Sequence, residues 1–136
     1  MRELAPAFAS LHREARAVGA QLAIVYIAEA HAADEWPINS TRCAGPGNSV
    51  LRPTSLAQRC ALARRMMHAL QLQESGIPVY ADGLDDAFLE AYAAWPIRLF
   101  GIDRQGRLAQ IAQPEQGSFR LPALREWLLE EAAKDG

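Results

Sequence analysis

Two residues capable of acid–base chemistry follow the most apolar stretch of the chain. The run from Gln21 to Ala28 is rich in β-branched residues and predicts a strand buried on both faces, as in a parallel sheet. Glu29 and His31 come directly after it, and alternate residues of an extended chain point the same way, so both could face one pocket. Histidine exchanges a proton near neutral pH, and a neighbouring carboxylate orients the ring or stabilises its cation. The spacing alone fits either general acid–base catalysis or an ordinary loop-capping pair.

The remaining thiol and imidazole groups give weaker signals, and a reactive Cys43 is the alternative that they leave open. Cys60 falls on the apolar face of a predicted helix, where a free cysteine packs as a small hydrophobe. Cys43 lies in a loop beside Arg42, whose charge would favour the thiolate, but it has no CxxC partner. His12 and His68 lie on predicted helices without a second ligand one turn away, so no metal site is predicted.

Length and composition restrict the class of protein. The 136 residues suit one domain, over residues 1–136, that is large enough to bury a core. No apolar run reaches the ~18–20 residues that cross a bilayer, and 16 acids against 14 bases leave no basic stripe for nucleic acid. Two cysteines are too few for a secreted disulfide scaffold, and no signal peptide is recognised. We expect a cytoplasmic protein that binds neither membranes nor nucleic acid.

The choice of basic residues carries information about the source of the chain. The bases are 13 arginines and a single lysine, and alanine occurs 26 times. This bias is typical of GC-rich coding and indicates a bacterial protein. It also inflates the apparent helix propensity, because alanine is the best helix former.

The elements that must position these residues alternate between helix and strand. Apolar spacing predicts four helices, over residues 2–18, 56–74, 84–92 and 122–133. Short apolar runs predict four strands, over residues 21–28, 77–81, 97–102 and 107–112, with residues 29–54 as a long loop. The last two strands form an antiparallel hairpin around the turn Asp103–Gly106. The order α-β-α-β-α-β-β-α favours an α/β fold with a mainly parallel sheet, and its second half is typical of a thioredoxin-like domain.

A longer motif surrounds Glu29 and His31. Residues 25–37 read VYIAEAHAADEWP. This segment resembles the iodothyronine deiodinase family, in which a strand ends in a similar Tyr-Ile-x-Glu-Ala-His followed by an aspartate and a tryptophan. Further segments resemble the family in the same order: Ser55-Leu56 with Arg59 at a helix start, YAAWPIRLF at residues 92–100, and LREWL at residues 124–128. The resemblance spans almost the whole chain.

The resemblance implies a thioredoxin-like fold and a reductive dehalogenation. The family removes iodine from thyroid hormones with a selenocysteine or cysteine nucleophile, and a thiol reductant is the expected co-substrate; no other cofactor is implied. In this reaction a proton must reach the ring carbon that loses iodine. Glu29 and His31 are therefore implied as the catalytic residues that support protonation.

Four further residues are implied to bind substrate. Arg98 lies early in a predicted strand, where an arginine is costly unless it is paired or reaches the rim. The resemblance suggests that its guanidinium holds a substrate carboxylate, and a salt bridge to Asp82 or Asp103 is the alternative. Pro96 corresponds to the cis-proline that thioredoxin-like proteins place beside the nucleophile. Tyr26 and Trp36, from the motif itself, complete the predicted set.

Two features depart from the family pattern. The nucleophile of the family precedes its first helix, and Met1 falls where a methionine that follows this nucleophile would lie. We therefore expect the chain to be shortened at its amino end and, as 136 residues, to be catalytically inactive. The family also has a histidine shortly before the Ser-Leu helix start, where this chain has Pro53.

These observations leave two hypotheses. The first is a deiodinase-like, thioredoxin-fold oxidoreductase whose nucleophile lies outside this chain and whose substrate is a small molecule, such as a halogenated aromatic or a peroxide. The second is a non-catalytic thioredoxin-like domain that binds a ligand or a partner. For either, a homodimer is a candidate assembly.

Overall fold

The computed structural model describes residues 5–37, 50–112 and 121–134. Its helices are α1 (Ala5–Ala17), α2 (Leu56–Ala69), α3 (Ala87–Tyr92) and α4 (Leu121–Ala133), and its strands are β1 (Ile24–Tyr26), β2 (Val79–Ala81), β3 (Leu99–Ile102) and β4 (Leu108–Ala112). Helices and strands alternate over the first part of the chain, so the α/β class is confirmed. No helix in the described ranges is long and apolar enough to cross a membrane.

The described strands form two sheets of two strands each. In the first, Ile24 N donates to Pro78 O and Asp82 N donates to Tyr26 O, both at 2.9 Å, and these bonds advance in the same direction along β1 and β2. The pair is therefore parallel. In the second, β3 and β4 are antiparallel, which confirms the predicted hairpin. The described strands do not join into the single, mainly parallel sheet expected from the sequence, so the thioredoxin-like arrangement stays a prediction.

Strand β1 is shorter and less buried than the apolar run at residues 21–28 suggests. Only residues 24–26 are in strand conformation, and all three are partly exposed. A strand that is covered on both faces needs neighbours on both edges and a packed layer above and below. Within the described residues, β1 has β2 as its one strand neighbour, and the apolar run by itself could not reveal this.

The β3–β4 turn is held by one carboxylate. Asp103 accepts hydrogen bonds from the backbone N–H groups of Gln105 and Arg107, each at 2.9 Å, and from Arg107 Nε at 2.8 Å. The backbone bond from Arg107 is the main reason why the pKa of Asp103 lies below its usual value. Gly106 adopts a φ of 77°, a left-handed conformation that glycine enters without steric cost.

The first of two compact units comprises residues 1–24, 66–78 and 97–136. Its described core is apolar and includes Phe8 and Leu11 of α1, Leu72, and Leu124 of α4. Gly101 allows α4 to pack closely on β3, since a Cβ at this position would lie 2.6 Å from the Trp127 ring. The amphipathic spacing predicted for the first and last helices is therefore the spacing that packs this core.

The second unit comprises residues 25–65 and 79–96. Its described buried side chains are small or charged: Ala32, Pro53, Arg59, Ala63, Asp82 and Ala94. The unit contains the segment after β1, most of α2, and the whole of β2 and α3. It is held less by apolar burial than by hydrogen bonds from a few polar groups.

Candidate functional site

A cavity of about 230 Å³ lies within the second unit. The segment that follows β1 forms one side of it. The rest is formed by α2 and α3, by residues that precede each of these helices, and by the turn after α3. Its described lining residues are Ala28, Glu29, Ala30, Ala32, Glu35, Trp36, Arg52, Arg59, Asp86, Leu89 and Trp95. The cavity thus combines two indole rings with five charged side chains.

Tyr26 and Glu29 form a short hydrogen bond at this cavity. The Tyr26 hydroxyl donates to Glu29 Oε1 at 2.6 Å. Tyr26 is the last residue of β1, and Glu29 lies three residues further along the chain, outside the strand. Burial, followed by the bond to the Glu29 carboxyl, holds the pKa of Tyr26 well above its usual value. Tyr26 therefore stays protonated, and donates this hydrogen bond, over the physiological pH range.

His31, Trp36 and Trp95 form a row of aromatic rings. His31 Nδ1 lies 3.2 Å from the Trp36 carbonyl oxygen, which fits the tautomer that carries its proton on Nδ1. The His31 and Trp36 rings are 5.2 Å apart, and Trp36 stacks on Trp95 at 6.3 Å with an angle of 15° between the planes. Trp36 is 63% exposed and Trp95 39% exposed, so both rings can contact a ligand.

Arg59 is the buried cation of the site. Arg59 is only 2% exposed. Its Nη1 donates to Asp86 Oδ1 at 2.8 Å, to Asp82 O at 3.4 Å, and to the Gly83 carbonyl oxygen. These partners satisfy part of the guanidinium, although its buried Nε has no hydrogen-bond partner among the described residues. Arg59 thus links α2 to the turn before α3, as burial of a charge requires.

Asp82 shapes the same turn from the end of β2. Its carboxylate accepts hydrogen bonds from the backbone N–H groups of Gly83 at 2.8 Å, Phe88 at 3.0 Å and Leu89 at 2.9 Å. The last two belong to the first turn of α3, whose N-cap residue, Asp86, makes no capping bond of its own. Asp82 therefore supplies the cap, which leaves the Asp86 carboxylate to pair with Arg59.

The segment after β1 is tied to residues that precede α2. Ala33 N donates to Val50 O, and Arg52 N donates to Asp34 Oδ1, both at 2.9 Å. The Arg52 guanidinium also forms an ion pair with Glu35. These bonds bring two lining residues, Glu35 and Arg52, together on one side of the cavity.

The residues predicted from the sequence are placed as follows. Glu29 and Trp36 line the cavity, Tyr26 bonds to Glu29, and His31 contacts Trp36 rather than Glu29. The expected cis peptide bond is present between Trp95 and Pro96, in the same unit. Their roles in binding or catalysis remain predictions.

The remaining candidate residues are not among the described residues that line the cavity. Arg98 belongs to the first unit, where Nη1 donates to Ile97 O at 2.9 Å. Neither aspartate suggested as its partner is engaged with it: Asp82 caps α3, and Asp103 bonds within its own turn. Its substrate-anchoring role stays a prediction. Cys43 lies outside the described residues, and Cys60 is not among the described residues that line the cavity.

The burial of Arg59 was not predicted from the sequence. The apolar face of this helix was expected along Leu56, Cys60, Ala63, Met67 and Leu70, and the last three are buried. At the start of the helix, however, Leu56 is 52% exposed and Arg59 is buried. A signal was present, because Arg59 lies four residues before Ala63 and so on the same helical stripe. A charged residue on a buried stripe indicates partners that are distant in the chain.

Comparison with known proteins gives consistent matches. The family model for iodothyronine deiodinase matches residues 4–132. A type I iodothyronine deiodinase from Xenopus laevis is 34% identical over 89 residues, which cover 65% of this chain and 31% of that protein. A type II iodothyronine deiodinase from Homo sapiens is 31% identical over 134 residues, which cover 95% of this chain and 45% of that protein. The chain therefore spans less than half the length of these curated relatives.

Proposed function

The chain belongs to the iodothyronine deiodinase family, and on that premise we propose that its second unit binds a halogenated aromatic molecule and delivers the proton of a reductive dehalogenation. One observation carries the proposal: the Tyr26–Glu29 hydrogen bond, at 2.6 Å, adjoins a cavity that Glu29 shares with two stacked tryptophans. A hydrogen-bonded pair of ionisable groups and an aromatic surface therefore meet at one site.

The proposed reaction needs a selenolate or thiolate that attacks the halogen. The carbon–halogen bond breaks, the sulfur or selenium takes the halogen, and the bonding electron pair stays on the ring carbon, which accepts a proton. Two molecules of a thiol then reduce the selenenyl or sulfenyl halide, which releases halide and the selenol or thiol and forms one disulfide. The thiol reductant is thus the co-substrate, and protonation of the ring carbon is the step that this unit would assist.

We assign the residues of the second unit to that step. Glu29 borders the ligand and, with the Tyr26 hydroxyl bound to it, forms a pair through which a proton can pass. Trp36 and Trp95 offer their exposed faces to the ring of the substrate. His31, whose ring contacts Trp36, would return protons from solvent.

The nucleophile is proposed to lie outside the described residues. Cys60 is the one cysteine among them, and it is not one of the residues that line the cavity. A proton donor can accelerate the reaction but cannot replace the atom that accepts the halogen. The contribution proposed for this unit is therefore binding and protonation.

In the experiment that tests this proposal, a small selenol added to the solution acts as the nucleophile. The 136-residue chain is mixed with 4-iodophenol and a small soluble selenol at pH 7, and iodide release is measured. We expect the chain to accelerate release about tenfold or more over buffer, within the range of general acid catalysis. Glu29→Gln should lose most of this acceleration, and Glu74→Gln, at an exposed residue outside the cavity lining, should keep it. Equal rates for wild type, Glu29→Gln and buffer would contradict the proposal.

A second function fits the same cavity. Because no described cysteine lines it, the unit could bind an aromatic ligand or a partner without turnover. The selenol assay separates the two: saturable binding of 4-iodophenol without any acceleration of iodide release would favour the non-catalytic function.

A further inference from the structure

The two basic residues in the described lining of the cavity differ in their access to a ligand. The Arg52 side chain is 57% exposed, whereas the Arg59 side chain is 2% exposed. Arg59 is also bound to Asp86 and to two backbone carbonyl groups, so its release would leave buried acceptors without a donor. The cation that a ligand can reach is therefore Arg52.

We infer that Arg52 binds the carboxylate of an aromatic ligand, and that Glu35 occupies this cation when no such ligand is bound. The inference rests on the proposed function, in which the ring of the ligand lies in the same cavity. A guanidinium can hold a carboxylate through two parallel hydrogen bonds. The partner of Arg52 in the structure, the Glu35 side chain, carries this same chemical group. The ion pair thus marks a position that accepts a carboxylate.

The Arg52–Glu35 pair can exchange partners at little cost. The Glu35 side chain is 43% exposed and can therefore move into water. Exposed ion pairs contribute little to stability, because water and salt screen them. The described lining has one more acid than bases, since it also contains Glu29 and Asp86. A ligand carboxylate that replaces the Glu35 carboxylate leaves this balance of charge unchanged, so the remaining acids do not prevent the exchange.

The backbone holds Arg52 in place while its side chain changes partner. Arg52 N donates to Asp34 Oδ1, and Ala33 N donates to Val50 O, both at 2.9 Å. Neither bond involves the guanidinium, so both persist when Glu35 leaves it.

The aromatic surface and the cation lie within reach of one ligand. Trp36 and Arg52 line the same cavity, and Glu35, the residue before Trp36, already reaches Arg52. A ligand whose ring contacts Trp36 can therefore present a carboxylate to Arg52. This assignment adds a cation to the site and does not replace the role predicted for Arg98.

The experiment compares 4-iodophenylacetate with 4-iodophenylacetamide by isothermal titration calorimetry of the 136-residue chain at pH 7. The two ligands share the ring and the halogen and differ in charge, so the ratio of their affinities reports on the carboxylate. We expect the acid to bind about threefold or more tighter than the amide. This preference should fall when NaCl is raised from about 50 to about 300 mM, because salt screens the partly exposed charges. Equal affinities, or tighter binding of the amide, would overturn the inference.

Variants of the two members of the pair test their roles separately. Arg52→Gln should bring the acid-to-amide affinity ratio to about one or less, and Arg52→Lys, which keeps the charge, should retain part of the preference. Glu35→Gln removes the competing carboxylate and should raise the ratio about threefold or more above wild type. Because both side chains are largely exposed, the fold should tolerate these changes, and urea unfolding of each variant checks this.

Two matched controls remove the same charges elsewhere. Arg64→Gln and Glu74→Gln replace exposed residues outside the described cavity lining, and both should leave the ratio at its wild-type value. A ratio that stays unchanged in Arg52→Gln or in Glu35→Gln would overturn the inference.

The outcomes separate the inference from the function on which it rests. If neither 4-iodophenol nor either of the two compared ligands binds, the proposed aromatic site is wrong and the inference falls with it. If 4-iodophenol and the amide bind but the acid is not preferred, the aromatic site stands and only the role inferred for Arg52 is wrong.

Discussion

The two compact units differ in what they bury. The described core of the first unit contains large apolar side chains, such as Phe8, Leu72 and Leu124, in addition to three alanines, with His12 as its buried polar exception. In the second unit the described buried side chains are small alanines and a proline, together with the charged Arg59 and Asp82. One unit is stabilised mainly by apolar burial, and the other depends on hydrogen bonds to a few charged groups.

The cavity occurs in the unit with the small and charged interior. Alanine side chains leave space that leucine or phenylalanine would fill, and interiors otherwise pack densely. Polar bonds also fix the positions of individual groups, since each has a preferred distance and direction. A site can therefore be built where large apolar residues are few, provided that its charged groups find partners.

The largest expected effect concerns the apolar core. Leu72→Ala removes a side chain that is only 2% exposed, and it should lower the free energy of unfolding by about 2–5 kcal/mol because it leaves a cavity. Leu51→Ala, at a position that is 66% exposed, is the matched control and should stay within about 0.5 kcal/mol of wild type. Urea unfolding followed by circular dichroism measures both. A loss below about 1 kcal/mol for Leu72→Ala would break the contrast between the units.

The next effect tests the charged interior of the second unit. Arg59→Met keeps the length of the side chain but removes the bonds to Asp86 and to two carbonyl groups. We expect a loss of about 2–3 kcal/mol, because these buried acceptors lose their donor. Arg64→Met replaces an exposed arginine of the same helix and should be nearly neutral. If Arg59→Met unfolded at the same urea concentration as wild type, hydrogen bonds from Arg59 would not stabilise this unit.

A smaller, pH-dependent effect is expected at Tyr26. Tyr26→Phe removes the bond to Glu29 and should cost about 1 kcal/mol at pH 7. The folded pKa of Tyr26 lies above its usual value, so in alkaline solution the unfolded chain loses this proton before the folded chain does. The free energy of unfolding of wild type therefore exceeds that of Tyr26→Phe by the full amount below about pH 10, and the difference declines as the pH rises above this value.

Unfolding of both proteins at a series of pH values from neutral to alkaline measures this dependence. The wild-type minus Tyr26→Phe absorbance difference near the phenolate band gives the titration of Tyr26 itself. Tyr80→Phe, at a tyrosine that is 60% exposed, is the control at pH 7 and should be nearly neutral there. If the stability difference between wild type and Tyr26→Phe grew above pH 10, the predicted direction of this pH dependence would be wrong.

The smallest effect on stability is expected at Trp36. This residue is 63% exposed, so Trp36→Ala should change the free energy of unfolding by less than about 0.5 kcal/mol. It should nevertheless weaken the binding of 4-iodophenol about tenfold, since it removes one of the two aromatic faces. Titration calorimetry and urea unfolding of the same sample measure the two effects. A variant that binds normally would remove Trp36 from the proposed site.

Features that depend on neighbouring residues could be predicted from the sequence. Apolar spacing placed α1 and α4 within a few residues of their observed bounds, and Phe8 and Leu11 are buried as that spacing requires. The hairpin was predicted from the turn at Asp103–Gly106. Asp103 accepts a backbone hydrogen bond within this turn, and Gly106 adopts the positive φ that the turn requires. The family motif indicated Glu29 and Trp36, which both line the cavity.

The pairing within the site depended on where β1 ends. The expectation that Glu29 and His31 point the same way assumed an extended chain through both residues. Strand β1 ends at Tyr26, so the alternation rule no longer applies, and the following residues bring Glu29 to Tyr26 instead. The sequence by itself determined the residue types available near this site, the helices and the hairpin, because propensity, periodicity and turn chemistry act over a few positions. Only the tertiary structure decided that Arg59 is buried and that a cavity opens beside it, because its partners Asp82, Gly83 and Asp86 lie more than 20 residues further along the chain.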